Sequence, residues 1–198
     1  MPSPVRHHLD SFTSSGSLSS SLTDKAILAV AATGLMAVSA HISLPLPFSP
    51  IPFTLQSFAV LLIGMTLGPA TAFAAMVLYL AEGAMGLPVF SPTGPGGVAQ
   101  LLGPTAGYLF SYPLAVAAAG WGVRMLRAIP SLFIRGLAAS AGASFVIFAL
   151  GASWLASVLH LHAVAAWHLA IAPFLPGEIV KIAAAATLFS TLHRWQQS

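Results

Sequence analysis

Two ionisable residues stand three apart in a segment otherwise suited to lipid: Pro173-Phe174-Leu175-Pro176-Gly177-Glu178-Ile179-Val180-Lys181. Pro176 suits the first turn of a helix or half-helix, where its missing N–H has no partner to lose. Glu178 and Lys181 then share one helix face. An ionisable side chain inside a membrane segment costs about 2.5–3.5 kcal/mol on insertion scales, so two on one face need a reason. Two readings stand. Either the two residues form an ion pair that satisfies only itself, or they belong to a polar ligand site, with Lys181 available to an anion and Glu178 to N–H donors.

A second constellation lies at 83–108, where Gly86, Gly94, Gly96, Gly97, Gly103 and Gly107 alternate with Pro88, Pro92, Pro95 and Pro104. Glycine allows positive φ and close backbone approach to a ligand. The same stretch carries Leu87, Val89, Phe90, Leu101 and Leu102, so it is expected to fold back onto the rest as a lid or re-entrant loop rather than to trail as a linker. Glu82 precedes it and either faces a cavity or sits at an interface with water. His160 and His162 would face about 200° apart on a helix, which argues against a shared metal, and the chain has no cysteine to supply a thiolate ligand. Ser144 and Ser153 follow Gly-Ala and precede the histidines at 160–168, but no nucleophile–base–orienter arrangement emerges, so no catalytic residue is assigned. No phosphate-binding loop occurs, so the chain is not expected to hydrolyse ATP itself.

The elements that must position these groups are membrane helices. The 198 residues are 57% hydrophobic and 6% charged, against about 25% charged in soluble domains. Seven basic and four acidic residues cannot supply a polar shell for a chain of this length, so lipid is its expected solvent. The basic residues are few and scattered, a pattern that reads as membrane topology rather than as a nucleic-acid surface. Residues 1–24 are expected to form a disordered cytoplasmic tail, since nine of the thirteen residues from Ser11 to Thr23 are Ser or Thr. His7 and His8 fall in that tail and are expected to be solvated. Residues 25–198 form the membrane domain. The run 26–42 also resembles a signal peptide with a cleavage site at Val38-Ser39-Ala40, a reading disfavoured by the long leader with acids at Asp10 and Asp24.

Apolar periodicity and breakers predict helices over 26–42, 54–67, 70–82, 105–123, 134–155 and about 169–192, with a break at Gly68-Pro69. With that break, and with the N-terminus inside, Arg124, Arg127, Arg135 and Arg194 all fall inside. The outer loops 43–53, 83–104 and 156–168 carry no Lys or Arg. The positive-inside rule therefore favours a six-helix all-α integral membrane bundle with a Gly/Pro-rich outer loop, both termini cytoplasmic, in the cytoplasmic membrane. Trp121, Trp154, Trp167 and Trp195 fall near predicted helix ends as interface anchors. Helices two and three are short, about 21 Å for about 14 residues against about 30 Å of hydrocarbon, as segments lining a substrate cavity often are. Ala29, Thr33 and Ala37 make a small-residue stripe on the first helix, which serves either internal packing or a partner's docking.

Four segments together resemble the BioY family, the biotin-specific subunits of energy-coupling-factor (ECF) transporters. They are Pro50-Ile51-Pro52-Phe53-Thr54-Leu55-Gln56, Gly86-Leu87-Pro88-Val89-Phe90, Gly103-Pro104-Thr105-Ala106-Gly107-Tyr108-Leu109 and the Pro173–Lys181 segment. They fall in the family's order, and the resemblance covers about residues 25–192. It implies a six-helix membrane protein that captures biotin from outside, with no cofactor. It also implies three partners: a transmembrane coupling protein and two ATP-hydrolysing subunits. It carries the docking surface onto Ala29, Thr33 and Ala37. Ligand contacts are expected from Thr54, Gln56, Glu82, Phe90, Thr105, Tyr108, Glu178 and Lys181, which supply acid, base, hydroxyl, amide and aromatic groups suited to a ureido ring and a carboxylate. Glu178 stands where the family usually has Asp, and Ala106 where it often has Gly. A binding subunit for another vitamin, or an intramembrane hydrolase, are the competing functions.

Overall fold

In the computed structural model, residues 13–195 are described, with side chains from residue 22 onward; His7 and His8 lie outside the described residues. The elements are α1 (Thr13–His41), β1 (Ser43–Leu44), β2 (Phe53–Thr54), α2 (Gln56–Leu67), α3 (Pro69–Ala84), α4 (Gly97–Leu101), α5 (Ala106–Met125), α6 (Leu132–Val158), α7 (Ala163–Ala166) and α8 (Leu175–Trp195). Four stretches are long and apolar enough to cross a membrane: Leu22–His41, Ala106–Ala128, Leu132–Val158 and Ala163–Trp195. Helices α2 and α3 are apolar but shorter.

The break between α2 and α3 falls where the sequence puts it. Gly68 takes φ of 75°, a left-handed conformation that side-chain-bearing residues rarely adopt, and Pro69 opens α3 at its first position, where no hydrogen bond is lost. Several boundaries differ from expectation. α1 starts at Thr13 rather than Ala26, since a helix nucleated by an apolar run extends at little cost. The last long helix starts at Leu175 rather than near residue 169. Before it, the chain passes through α7, a wider π turn at Trp167–Ile171 and a tight 3-10 turn at Ala172–Phe174. The chain is also not purely α. Ser43 pairs with Thr54 and Leu44 with Phe53 in a two-residue antiparallel ribbon. Pro45, Pro47, Pro50 and Pro52 lie between the two strands and exclude a helix there.

α5 is the central helix, packing on α6, α3 and α2, while α8 lies against α6 and α2, and α1 against α3 and α2. Small and medium side chains close the interior: Ala59, Ala72, Ala75, Ala115, Ala119, Ala143 and Ala185 are fully buried. Large apolar residues such as Val30, Val77, Phe145, Ile179 and Val180 face outward, as lipid requires. The α1 stripe is partly covered by the bundle. Thr33 is buried and its hydroxyl donates to Glu82 Oε1 of α3 at 3.2 Å, with Ala29 and Ala37 half-buried beside it. Thr33 thereby joins the contact of α1 with the bundle, because a buried hydroxyl needs a partner and α3 supplies one.

The Gly/Pro-rich segment is partly buried. Phe90, Ser91, Gln100 and Leu101 are buried, and α4 forms within it. Two bonds tie it to the helices and one braces it internally. Tyr79 of α3 donates to the carbonyl of Val89 (2.9 Å), Trp154 of α6 donates to that of Gly103 (3.0 Å), and Gln100 accepts from the N–H of Gly96 (3.1 Å).

Candidate functional site

Helix α8 turns Glu178 and Lys181 into the bundle one turn apart, 4% and 7% exposed. They are ion-paired at 3.5 Å (Nζ to Oε2), and hydroxyls from two other helices brace them. Ser57 of α2 donates to Glu178 Oε2 (2.8 Å) and accepts from Lys181 Nζ (2.9 Å). Ser144 of α6 donates to Glu178 Oε1 (2.7 Å). Lys181 Nζ also lies 4.2 Å from the centre of the Phe53 ring, close enough for a cation–π contact. Phe53 in turn stacks on Phe174 (6.4 Å, 5°) and occupies the space that a side chain at Gly177 would fill. A carboxylate offers about four acceptor sites and an ammonium three donors. Glu178 Oε1 is engaged once, and Lys181 makes two polar contacts, so each retains capacity for a ligand group.

Both groups open into a cavity with an empty volume of about 610 Å³, counting its mouth and the solvent in it. One wall is β2 and the start of α2, with Thr54, Gln56 and Ser57. The Gly/Pro-rich segment adds Ser91, Gln100 and Thr105. α5 contributes Tyr108 and Tyr112, and α6 contributes Ile147 and Phe148. Phe174 faces the cavity from the turn before α8. The polar walls are held in place. Gln56 Nε2 donates to Tyr79 OH (2.8 Å), and Thr54 Oγ1 lies 3.3 Å from both Gln56 Oε1 and the Gln56 N–H. Tyr108 OH donates to the carbonyl of Ala170 (2.7 Å), inside the π turn, where carbonyls lack regular helical partners. Ser49 does the same at Leu169 (2.8 Å).

Six of the eight residues marked by sequence therefore line one cavity: Thr54, Gln56, Thr105, Tyr108, Glu178 and Lys181. The other two do not. Phe90 is buried behind the wall, edge-on to Tyr79 at 5.4 Å and filling the space over Gly83, so it supports the lining rather than forming it. Glu82 points to α1, where it accepts from Thr33. Sequence reasoning missed Ser57, Ser91, Gln100, Tyr112, Phe174 and the brace from Ser144. Gln100 and Ser91 lie in the segment expected to act as a lid, and Ser57 follows Gln56 directly. Those positions were the available signals. His162, weighed as a metal ligand, instead caps α7 by accepting from the N–H of Ala165 (3.0 Å).

Taken together, the arrangement is a partly open, largely apolar pocket with one acid, one base and a ring of neutral hydroxyl and amide groups. That composition suits a small ligand with an apolar body, N–H donors and a carboxylate. No histidine lines the cavity among the described residues, and the Ser144 hydroxyl donates to the Glu178 carboxylate.

Comparison with known proteins agrees with this geometry. The model of the BioY family matches residues 10–198. Over 158 residues the chain is 38% identical to a probable biotin transporter BioY of Pyrococcus horikoshii, covering 80% of this chain and 89% of that one. It is 34% identical to the biotin transporter BioY of Rhodobacter capsulatus (79% and 85% covered) and 36% identical to that of Thermotoga maritima (79% and 88%). The fold matches the crystal structure of an S-component for biotin from an ECF-type ABC transporter with a TM-score of 0.80 at 21% identity, covering 88% of this chain and 93% of that one. With its match along nearly the whole length and its membrane-spanning helices, the chain belongs to the BioY family of membrane transport proteins.

Proposed function

We propose that this chain binds biotin and serves its uptake across the cytoplasmic membrane, as the substrate-specific subunit of an ECF-type transporter. The observation that carries this reading is the buried Glu178–Lys181 pair, braced by Ser57 and Ser144 and open to a largely apolar cavity. Biotin presents ureido N–H groups and a carbonyl at one end, an apolar bicycle, and a carboxylate at the other. In this reading Glu178 accepts a ureido N–H, the hydroxyl and amide groups of Thr54, Gln56 and Thr105 meet the remaining polar atoms, and Tyr108 and Phe174 enclose the bicycle. Lys181 attracts the carboxylate. The subunit catalyses nothing. It works with a transmembrane coupling protein and two ATP-hydrolysing subunits, six helices span the bilayer, and both termini are cytoplasmic. The sequence relatives named for biotin support the ligand, and the S-component structure supports the architecture.

The test is the ligand itself. Protein purified in detergent from cells supplied with biotin should retain biotin, identified by mass spectrometry after denaturation. Equilibrium binding should favour biotin over thiamine and riboflavin by orders of magnitude. Retention of a different vitamin would replace biotin while leaving the site in place.

A further inference from the structure

A second, larger cavity lies at the end of the bundle opposite Glu178, with an empty volume of about 1350 Å³ including its opening. Its polar lining is Arg124 from the last turn of α5, Arg135 from the first turn of α6, His193 from the last turn of α8 and Thr66 of α2, with no Asp or Glu among the described residues that line it. Its other walls are apolar, with Leu28 and Leu35 of α1, Leu62 of α2 and Leu192 of α8. The cationic end is built. Arg135 Nη2 donates to the carbonyls of Arg127 (3.1 Å) and Ile129 (2.7 Å), which fixes its guanidinium at the turn between α5 and α6. Its Nε is the one buried side-chain nitrogen or oxygen among the described residues with no hydrogen-bond partner. The Arg124 guanidinium lies against Gly68, in space that a side chain there would take.

Two guanidinium groups line one cavity with no acid among its described lining residues, so like charges share it without a neutralising partner. An anion supplies that partner, and a phosphate does so best, because arginine donates to it in parallel pairs. A free phosphate would leave the leucine walls bare. We propose that this cavity seats the phosphate of an anionic phospholipid, with an acyl chain lying along the Leu28–Leu35 face of α1. Basic pockets between membrane helices take lipid headgroups in this way. The lipid would fill the gap between α1 and the α5–α6–α8 end and fix α1 to the bundle.

The test uses the full-length protein in phosphatidylcholine nanodiscs, titrated with phosphatidylglycerol, and separately in detergent with inorganic phosphate. Native mass spectrometry counts bound lipid and thermal melting reads stabilisation. The wild type should bind one phosphatidylglycerol in preference to phosphatidylcholine and melt higher with it. Arg124→Gln should weaken that binding about tenfold, as loss of a bond to a charged group would, while Arg124→Lys should lose less. Arg194→Gln, an exposed position outside the cavity, serves as control and should match the wild type. Biotin binding at the opposite end, unchanged in every variant, reports an intact fold. Equal phosphatidylglycerol binding by wild type and Arg124→Gln overturns the proposal, as does equal affinity for the two lipids. Stabilisation by inorganic phosphate as strong as that by the lipid overturns the lipid assignment in favour of a free-anion site.

Discussion

Ser57 has an unusual position, because one hydroxyl serves both charges of the site: it donates to Glu178 and accepts from Lys181. Without it the ammonium would hold only a 3.5 Å contact to the carboxylate and the face of Phe53. Ser57→Ala should therefore lower ligand affinity by about tenfold, the scale of a lost hydrogen bond to a charged group. Ser57→Thr retains the hydroxyl and should keep most of the affinity; calorimetry on the two variants separates loss of the brace from general disturbance. Glu178→Gln and Lys181→Met keep approximate volume and remove charge, so each should weaken biotin binding roughly 10- to 150-fold. Biotin amide sharpens the assignment. Wild type should bind the amide more weakly than biotin, and Lys181→Met should barely distinguish the two. Discrimination by Lys181→Met as strong as wild type would move the carboxylate to another partner, Gln100 and the surrounding loop first. Glu178 and Lys181 were legible because an ionisable residue in an apolar span is conspicuous. Ser57 and Ser144 were not, since a helical serine commonly bonds its own backbone, and their role depends on α2 and α6 converging on α8.

Among the elements, α3 links the site to the Gly/Pro-rich segment through one hydroxyl. Tyr79 is fully buried, accepts from Gln56 in the cavity wall and donates to Val89 at the start of the segment. Tyr79→Phe keeps the ring and its contact with Phe90 but leaves the Gln56 amide and the Val89 carbonyl without that partner, a loss of about 1–3 kcal/mol for each group left unsatisfied. The variant should show faster hydrogen exchange across 86–104 and weaker biotin binding, with the bundle otherwise protected. Uniform loss of protection would show that Tyr79 holds the whole bundle rather than this segment. The break at Gly68-Pro69 could be read from sequence because proline and glycine act locally. The start of α8 could not. Ala163–Ile171 has the composition of a helix, and only the bonds from Tyr108 and Ser49 to the carbonyls of Ala170 and Leu169 show why the chain takes a wider turn there. The α1 stripe is a related case: spacing shows that a face is smooth, and only the tertiary structure shows that α3 lies against part of it, with Glu82 bound to Thr33.

For the whole molecule, charge and cavity segregate along the bundle axis. Arg124, Arg127, Arg135 and Arg194 lie at the C-terminal end of α5, the following turn, the start of α6 and the end of α8, all at one end. The ligand cavity opens among the start of α2, the start of α5 and the start of α8 at the other. Segments 43–53, 83–104 and 156–168 at that end contain no Lys or Arg. Helices α2 and α3, with 12 and 16 residues, rise about 18 and 24 Å, each less than the roughly 30 Å core. In the proposed six-helix topology they nonetheless cross and return about the Gly68 turn, which would place the arginine end on the side of the N-terminus. Since Lys and Arg accumulate on the cytoplasmic side, the arginine end should be cytoplasmic and the cavity mouth external, as capture of an external ligand demands. The chain has no cysteine, so single cysteines report without background. Thr93 and Ala128 are both exposed, one beside the cavity and one at the arginine end. On intact cells a membrane-impermeant maleimide should label Thr93→Cys and spare Ala128→Cys until the membrane is permeabilised. Labelling of both from outside would place α2 and α3 in a single crossing, turn the arginines outward and end the six-helix topology. The reverse pattern, with Ala128→Cys labelled and Thr93→Cys protected, would put the Glu178 cavity on the cytoplasmic side, where it could release a ligand but not capture one from outside.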